Sequence, residues 1–427
     1  MTSQAPARVV LRKAPPVSAS PAHPAAAGTQ SSLTSNRVDD SNAVAPASKG
    51  GSDPFCLLDG TSWQMTPQAA ADVLTSNQDF CVTGVLGGQG LGKSTFLNHL
   101  LGFCGELPAA APAPTPAFPV WRGGAAHCTQ GVTLGVSSDR MLALDAQPLF
   151  SISVLADMAT NWDSPPAALA APAVAAAGEG KASAVPFEGV QLLAQLQLAV
   201  LLLSTCHRVL VFCDGWHDLR TWELLQTAEM LARGIPDPSL PAPATQQSAQ
   251  IPAAAGVAAG AAAAATAPAS QSARQAPQQE HLAEVVLVHV VPGDGSGGAP
   301  SEAQLLLLER QVDCFFANSR LRRPGALRML DHVRGSSSDC VGVSMSYFAV
   351  PALHCGEDSP AWAQLAAALL ARPCAPFAQQ ACTEQQWLRG VAGESWRAVR
   401  KSIDVANLYS RFARTVLRGG GGWGLAQ

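Results

Sequence analysis

The chain has 427 residues, with 31 acidic against 27 basic side chains and a formal net charge of −4. That balance points neither to nucleic acid nor to an anionic membrane surface as a partner. Its 11 cysteines are scattered, with no Cys-x-x-Cys and no Cys/His cluster at metal spacing. His127-Cys128 and Cys206-His207 therefore read as ordinary core or loop residues. Scattered thiols without a secretory signal fit a reducing, cytoplasmic compartment. No run is expected to reach the length of a membrane span: Leu192 to Cys213 comes closest, and His207 and Arg208 interrupt it.

Residues 1–51 are rich in Ala, Pro and Ser and lack a sustained apolar period. They cannot bury enough surface to offset chain entropy and are expected to be a disordered tail. Arg8, Arg12 and Lys13 precede the first acidic residue, Asp39, a composition that overlaps with organelle transit peptides; the tail is the expectation. Residues 52–412 read as one α/β domain carrying two low-complexity inserts, about 164–186 and 236–279. Residues 413–427 read as a flexible, Gly-rich tail.

Within the domain, Cys56 to Leu58 read as a short strand or turn and Thr66 to Leu74 as a helix. Phe80 to Leu86 is an apolar run expected to be a buried strand. It leads into Gly87-Gly88-Gln89-Gly90-Leu91-Gly92-Lys93-Ser94, a full match to G-x-x-x-x-G-K-[ST], and Thr95 then continues into a helix. Glycines let successive N–H groups curl around phosphate oxygens, and the helix N-terminus adds its positive end. Lys93 would reach the outer phosphates and Ser94 would ligate Mg²⁺. The nucleotide-binding set is thus Gly87, Gly88, Gln89, Gly90, Leu91, Gly92, Lys93, Ser94 and Thr95.

The Pro-rich stretch Pro108 to Pro119 is expected to cross the surface. Gly131 to Val136 and Arg140 to Asp145 read as a hairpin. Thr129, just before it, is the candidate switch residue over Mg²⁺, and Asp145 the candidate carboxylate, so the metal set is Ser94, Thr129 and Asp145. Further along come a helix from Gln191 to about Thr205, a strand from Arg208 to Asp214 and a helix from Leu219 to about Leu231. A strand from Val285 to Val291, a helix from Ser301 to about Arg322, a strand from Val341 to Val350 and a helix from Ala361 to Leu370 follow. Apolar strands alternating with helices predict a mostly parallel sheet flanked by helices, and the glycine loop with the order of the elements matches a P-loop NTPase architecture, GTPase-like, by topological analogy.

Other parts of a GTPase site are missing. The Asp opening D-x-x-G is followed here by Ala146-Gln147-Pro148, and proline has no N–H to sense a terminal phosphate. Leu149 stands where Ras-like enzymes place the water-orienting Gln, and the side chain of Gln147, two positions early, is expected to point elsewhere. The strand ending at Val291 is not followed by Asn-Lys-x-Asp; Asp294 reads as part of a Gly-rich turn. These gaps predict binding of a purine nucleotide, ATP/ADP or GTP/GDP, with little hydrolysis, and no catalytic residue is assigned. The alternatives are an active P-loop hydrolase and a small-molecule kinase with Arg320, Arg322 and Arg323 in a lid.

At the C-terminal end, Thr383-Glu384-Gln385-Gln386 fits a capping box. Trp387, Val391, Trp396, Val399 and Ile403 share a helical face that Leu408 and Phe412 extend. The stripe either docks a partner or packs on its own domain.

The loop from Val82 to Ser94, Thr129-Gln130-Gly131-Val132 and Leu144-Asp145-Ala146-Gln147-Pro148-Leu149 resemble the SMG nine family of nonsense-mediated mRNA decay factors. Leu224 to Met230, Thr383 to Trp387 and Trp396 to Ser402 extend the likeness, which covers most of 53–412 apart from the inserts. The resemblance implies a nucleotide-binding regulator whose GTPase-like domain pairs with an SMG eight-like protein. It further implies that the pair docks on an SMG one-type kinase that phosphorylates the helicase Upf one. The family's Asn-Lys after the late strand is not visible in this sequence.

Overall fold

The computed structural model describes residues 52–101, 118–120, 126–137, 139–161, 187–239, 281–292, 300–334, 342–352, 360–377 and 381–402. All fall within one compact unit, Lys49–Gln427. The expectations for the N-terminal tail, the first insert, nearly all of the second, most of the Pro-rich stretch, Asp294, Ile403, Leu408, Phe412 and the Gly-rich end lie outside these residues.

The core is a sheet of eight strands. They are β1 (Ser52–Asp59), β2 (Gln64–Met65), β3 (Cys81–Gly87), β4 (Val132–Val136), β5 (Met141–Ala146), β6 (Arg208–Asp214), β7 (Glu284–Val291) and β10 (Ser346–Pro351). The spatial order is β10-β7-β6-β3-β5-β4-β1-β2. From β10 to β5 every pairing is parallel, and from β5 outward through β4, β1 and β2 every pairing is antiparallel. The parallel strands are near-continuous apolar runs, as a sheet buried on both faces requires. The hairpin β4–β5 forms where the sequence predicts it. The β1 strand is longer than the expected short strand because it finds β4 to pair with, extending the antiparallel edge.

The helices are α1 (Gln68–Ala71), α2 (Lys93–Leu100), α3 (Ile152–Asn161), α4 (Phe187–Thr205), α5 (Leu219–Ala232), α6 (Glu302–Phe315), α7 (Met329–Arg334), α8 (Pro360–Ala371), α9 (Glu384–Gly390) and α10 (Trp396–Lys401), with a π-helical turn at Val391–Ser395. A small ribbon pairs β8 (Arg323–Pro324) with β9 (Val343–Ser344). Helix α4 packs on α5, α3 and the sheet. At 19 residues it is long and apolar enough to cross a membrane, which corrects the expectation that no run reaches that length; most of it is buried inside the protein. That makes it the core helix of the fold.

Several boundaries move for identifiable reasons. Helix α6 stops at Phe315 instead of running to Arg322. Glu229 captures the following turn by accepting from the Arg320 N–H at 2.7 Å and the Ser319 hydroxyl at 2.5 Å. Residues 236–239 belong to the folded part rather than the second insert: Asp237 and Ser239 are buried, and Asp237 Oδ1 accepts from the Ser239 N–H at 2.8 Å. Helices α3 and α7 are additional, and the last strand divides into β9 and β10.

The described part of the C-terminal stripe packs on its own domain. The capping box forms at Thr383 and Gln386. Trp387 is 0% exposed and donates its indole N–H to the Thr205 carbonyl at 2.7 Å. Trp396 is buried too, with its ring 6.1 Å from that of Trp63. The described part of the stripe, Trp387, Val391, Trp396 and Val399, is therefore covered by its own domain. Cys81 and Cys374, 293 residues apart, form a disulfide. Nothing in the spacing of scattered cysteines reveals such a pair.

Candidate functional site

Strand β3 lies mid-sheet, and its C-terminal end feeds the glycine loop. Gly87 has φ 140°, and a Cβ there would lie 2.3 Å from the Phe212 carbonyl oxygen on β6. Only glycine lets the strand turn this close to its neighbour. Gly92, at φ 82°, is the N-cap of α2 and offers no side chain to the first-turn N–H groups. Those N–H groups carry the positive end of the helix dipole toward the loop.

Lys93 folds back and donates from Nζ to the Gly88 carbonyl at 2.7 Å. Its head is buried, and burial pulls its pKa down to about 8 against the attraction of Asp145. Ser94 Oγ and Thr129 Oγ1 both donate to Asp145 Oδ2, each at 2.7 Å. Asp145 is 0% exposed, and its other oxygen, Oδ1, is buried without a hydrogen-bond partner. Burial raises its pKa, and Lys93, Ser94 and Thr129 oppose that rise. The predicted metal set Ser94, Thr129 and Asp145, far apart in sequence, thus meets at one carboxylate.

Two hydroxyls and a carboxylate are hard oxygen donors that suit Mg²⁺, which prefers one or two carboxylates and keeps several waters. The unpartnered Oδ1 is an acceptor of the kind such a cation or its water would satisfy. Among the described residues, no cluster of three His, Cys, Asp or Glu could hold a metal. This donor set, with its single carboxylate, is of another kind.

The rest of the predicted loop divides into two roles. Gly88, Gln89 and Leu91 line a cleft, while Gly90 and Thr95 sit on the loop and the first turn of α2. The cleft has a volume of about 790 Å³ and opens at the carboxyl ends of β3, β5 and β6. In open α/β sheets that is where ligands bind. Its other walls include Phe150, Ser151 and Asp157 from the segment after β5, and Asp214, Asp218 and Arg220 after β6.

The segment after β5 is tied to the loop. The Leu149 N–H donates to the Gly87 carbonyl at 2.9 Å. Gln89 Oε1 accepts from the Ser151 and Ser153 hydroxyls at 2.6 and 2.9 Å. Gln191 Nε2 adds a bond to the Ser151 carbonyl at 2.6 Å. Gln147 turns away from the cleft and accepts the Gly131 N–H at 3.0 Å.

His127 shares a hydrogen bond with Ser153 Oγ at 2.9 Å and lies 3.5 Å from Asp157, and burial lowers its pKa. The arginines considered for a lid are elsewhere. The Arg322 guanidinium donates to the Ala317 and Val343 carbonyls, that of Arg323 to Leu282, and the Arg320 N–H to Glu229. None of the three lines the cleft.

The sequence reading missed Gln89 as a clamp, and Asp214, Asp218 and Arg220 as cleft walls. Arg208-to-Asp214 followed by a helix was the available signal, because strand ends beside a glycine loop face the same crevice.

These observations define an α/β protein with a mostly parallel central sheet flanked by helices, of the Rossmann or P-loop-like kind. The chain is similar to "Nonsense-mediated mRNA decay factor SMG9" of Xenopus laevis, 30% identical over 171 residues. It is 29% identical to the protein of that name from Xenopus tropicalis over 171 residues, and 28% identical to that from Salmo salar over 178 residues. The chain is SMG9-like across these stretches. Each match covers 40% of this chain and spans 31% of the length of the curated relative. No family model matches the chain.

Proposed function

We propose that this chain is a regulatory nucleotide-binding subunit acting in nonsense-mediated mRNA decay, with a degenerate GTPase-like site. The similarity to the SMG9 proteins supports the role in decay. The observation that carries the nucleotide reading is the convergence of Ser94 and Thr129 on Asp145, beside a glycine loop that opens α2. In this reading the loop N–H groups and Lys93 hold the phosphates of a purine nucleotide. Ser94, Thr129 and Asp145 hold Mg²⁺, which would neutralise phosphate charge.

Lys93 would exchange its bond to the Gly88 carbonyl for the outer phosphates. Asp145 stays ionised in that arrangement, because a metal cation and Lys93 both favour its charge. Little hydrolysis is expected: Pro148 offers no N–H, and Leu149 cannot orient water. The bonds that Ser151 and Ser153 donate to Gln89, Leu149 to Gly87 and Gln191 to Ser151 also restrain the segment that a switching GTPase must move, which favours a scaffold over a turnover machine.

The partners follow from the resemblance: an SMG eight-like protein as the other half of a heterodimer, and an SMG one-type kinase whose action on Upf one the pair controls. The test is recovery of tagged full-length chain from its native cells, with and without the substitution Lys93→Ala. Co-purification of an SMG eight-like chain and the kinase is expected. A lone monomer that hydrolyses nucleotide briskly would overturn the regulatory reading in favour of an active P-loop hydrolase.

A further inference from the structure

The segment that lacks a phosphate-sensing N–H at Pro148 brings a different group to the same crevice. Two residues on, Phe150 adopts φ 50°, a left-handed conformation that a bulky side chain seldom takes. Its ring sits beneath the Arg220 guanidinium, whose carbon lies 5.0 Å from the ring centroid. Such stacking holds a guanidinium in place while leaving its N–H groups free to bond. Arg220 sits in the first turn of α5, is exposed, and lines the cleft together with Gly88 and Gln89 of the glycine loop.

It is the one cationic side chain among the described residues lining that cleft, and no ion pair to it is found among the described residues. The carboxylates around it are differently engaged. Asp218 caps α5, taking the N–H groups of Asp214 and Thr221 and the Thr221 hydroxyl. Asp157 lies against His127. Asp214 is exposed at the end of β6.

We propose that Arg220, stacked on Phe150, is the residue by which this site distinguishes a nucleoside triphosphate from a diphosphate. It takes the place of the N–H that Pro148 removes. The inference rests on the nucleotide-binding reading above. A planar guanidinium offers several N–H donors to phosphate oxygens and makes shorter, stronger bonds to an anion than a neutral amide does. The α and β phosphates belong to the glycine loop, so only the outermost group gains from Arg220. Diphosphate affinity is therefore independent of this residue.

The experiment is calorimetric titration of the full chain with Mg²⁺ and ATP, ADP, GTP or GDP, for wild type, Arg220→Ala and Arg220→Lys. The expected result is a fall of about tenfold in the triphosphate-to-diphosphate affinity ratio for Arg220→Ala, the size of one charge-assisted contact. Diphosphate affinity should hardly change, and Arg220→Lys should recover part of the ratio. Arg220 is exposed, and a thermal melt matching wild type checks that each variant folds. An unchanged ratio with intact wild-type binding overturns the role of Arg220 alone. Equal loss of di- and triphosphate binding also overturns it, since the contact would then be with a shared phosphate. Failure of wild type to bind any of the four nucleotides sinks the nucleotide reading itself.

Discussion

Arg140 and Glu384, 244 residues apart in sequence, are joined by two hydrogen bonds, one from Arg140 Nε to Glu384 Oε1 at 2.6 Å and a second between Nη2 and Oε2. Arg140 stands at the turn of the β4–β5 hairpin with φ 61°, and Glu384 opens α9 with its side chain 0% exposed. Glu384 also accepts the Thr75 N–H at 2.7 Å. One carboxylate thus ties the C-terminal helices to the hairpin that presents Asp145.

Glu384→Ala is expected to destabilise the domain by about 3 kcal/mol, since it leaves a part-buried guanidinium without its partner. The effect has a pH signature. Burial alone would raise the Glu384 pKa, but the bonds from Arg140 and Thr75 hold it below the usual carboxylate range. A depressed folded pKa contributes stability that is present above the unfolded value of about 4.3 and lost as pH falls through the folded one. Denaturant unfolding of wild type and Glu384→Gln should give curves that differ at neutral pH and converge in acid. A difference constant from neutral to strongly acidic pH would show that the charge of Glu384 plays no part.

Lys93→Ala should abolish nucleotide binding in calorimetry with Mg²⁺ and either ATP or GTP. The wild-type protein should show a pH dependence set by the same side chain. With its pKa near 8 in the free protein, Lys93 must take up a proton above that pH to meet phosphate. Affinity is therefore full below about pH 8 and declines above it, with proton uptake visible as a buffer-dependent enthalpy. Affinity that is flat up to pH 9.5, beyond any buffer effect, would mean that Lys93 stays protonated across that range, and the loss of binding in Lys93→Ala would remain the test of its contact with phosphate.

Turnover of either nucleotide should be slower than about one per second, the low end of ordinary kinase rates. Faster release of phosphate, lost in Lys93→Ala, would mean that a residue other than Leu149 positions the water.

Trp387→Ala should cost about 3–5 kcal/mol, because it empties a fully enclosed site and strips the Thr205 carbonyl of its donor. Deleting the chain from Thr383 onward should destabilise the whole domain for the same reason. A truncated chain with wild-type denaturation behaviour would return this stripe to the category of docking surface.

The loop from Gly87 to Ser94 was legible because its chemistry is local: glycines, Lys and Ser at fixed spacing. The apolar strands and the β4–β5 hairpin were legible because alternation and turn residues act over short range. What brings Thr129 and Asp145 to Ser94 is the pairing of β3 with β5, which the sequence suggested only through the analogy with GTPase-like folds. The Arg140–Glu384 and Cys81–Cys374 pairs join segments hundreds of residues apart, and no local pattern encodes them. Helix α3 was missed because its apolar face is narrow, with Val154 and Met158 buried and Ile152 left outside. The aromatic stripe of α9 and α10 was visible, but its partner, the core around Trp63 and α4, was not. Arg220 carried no signal of its own, since one arginine early in a helix gains meaning only from the ring beneath it.

The bond between Cys81 and Cys374 closes most of the polypeptide into a covalent ring that encloses the strands from β3 to β10 and every residue between them. A protease that cleaves once anywhere inside that ring produces two pieces that still travel as one molecule. On a denaturing gel they separate only after a thiol reductant is added. Strand β3, which delivers the glycine loop, is itself one end of the clasp, so the phosphate-binding element and the C-terminal helices remain on a single molecule after such a cut.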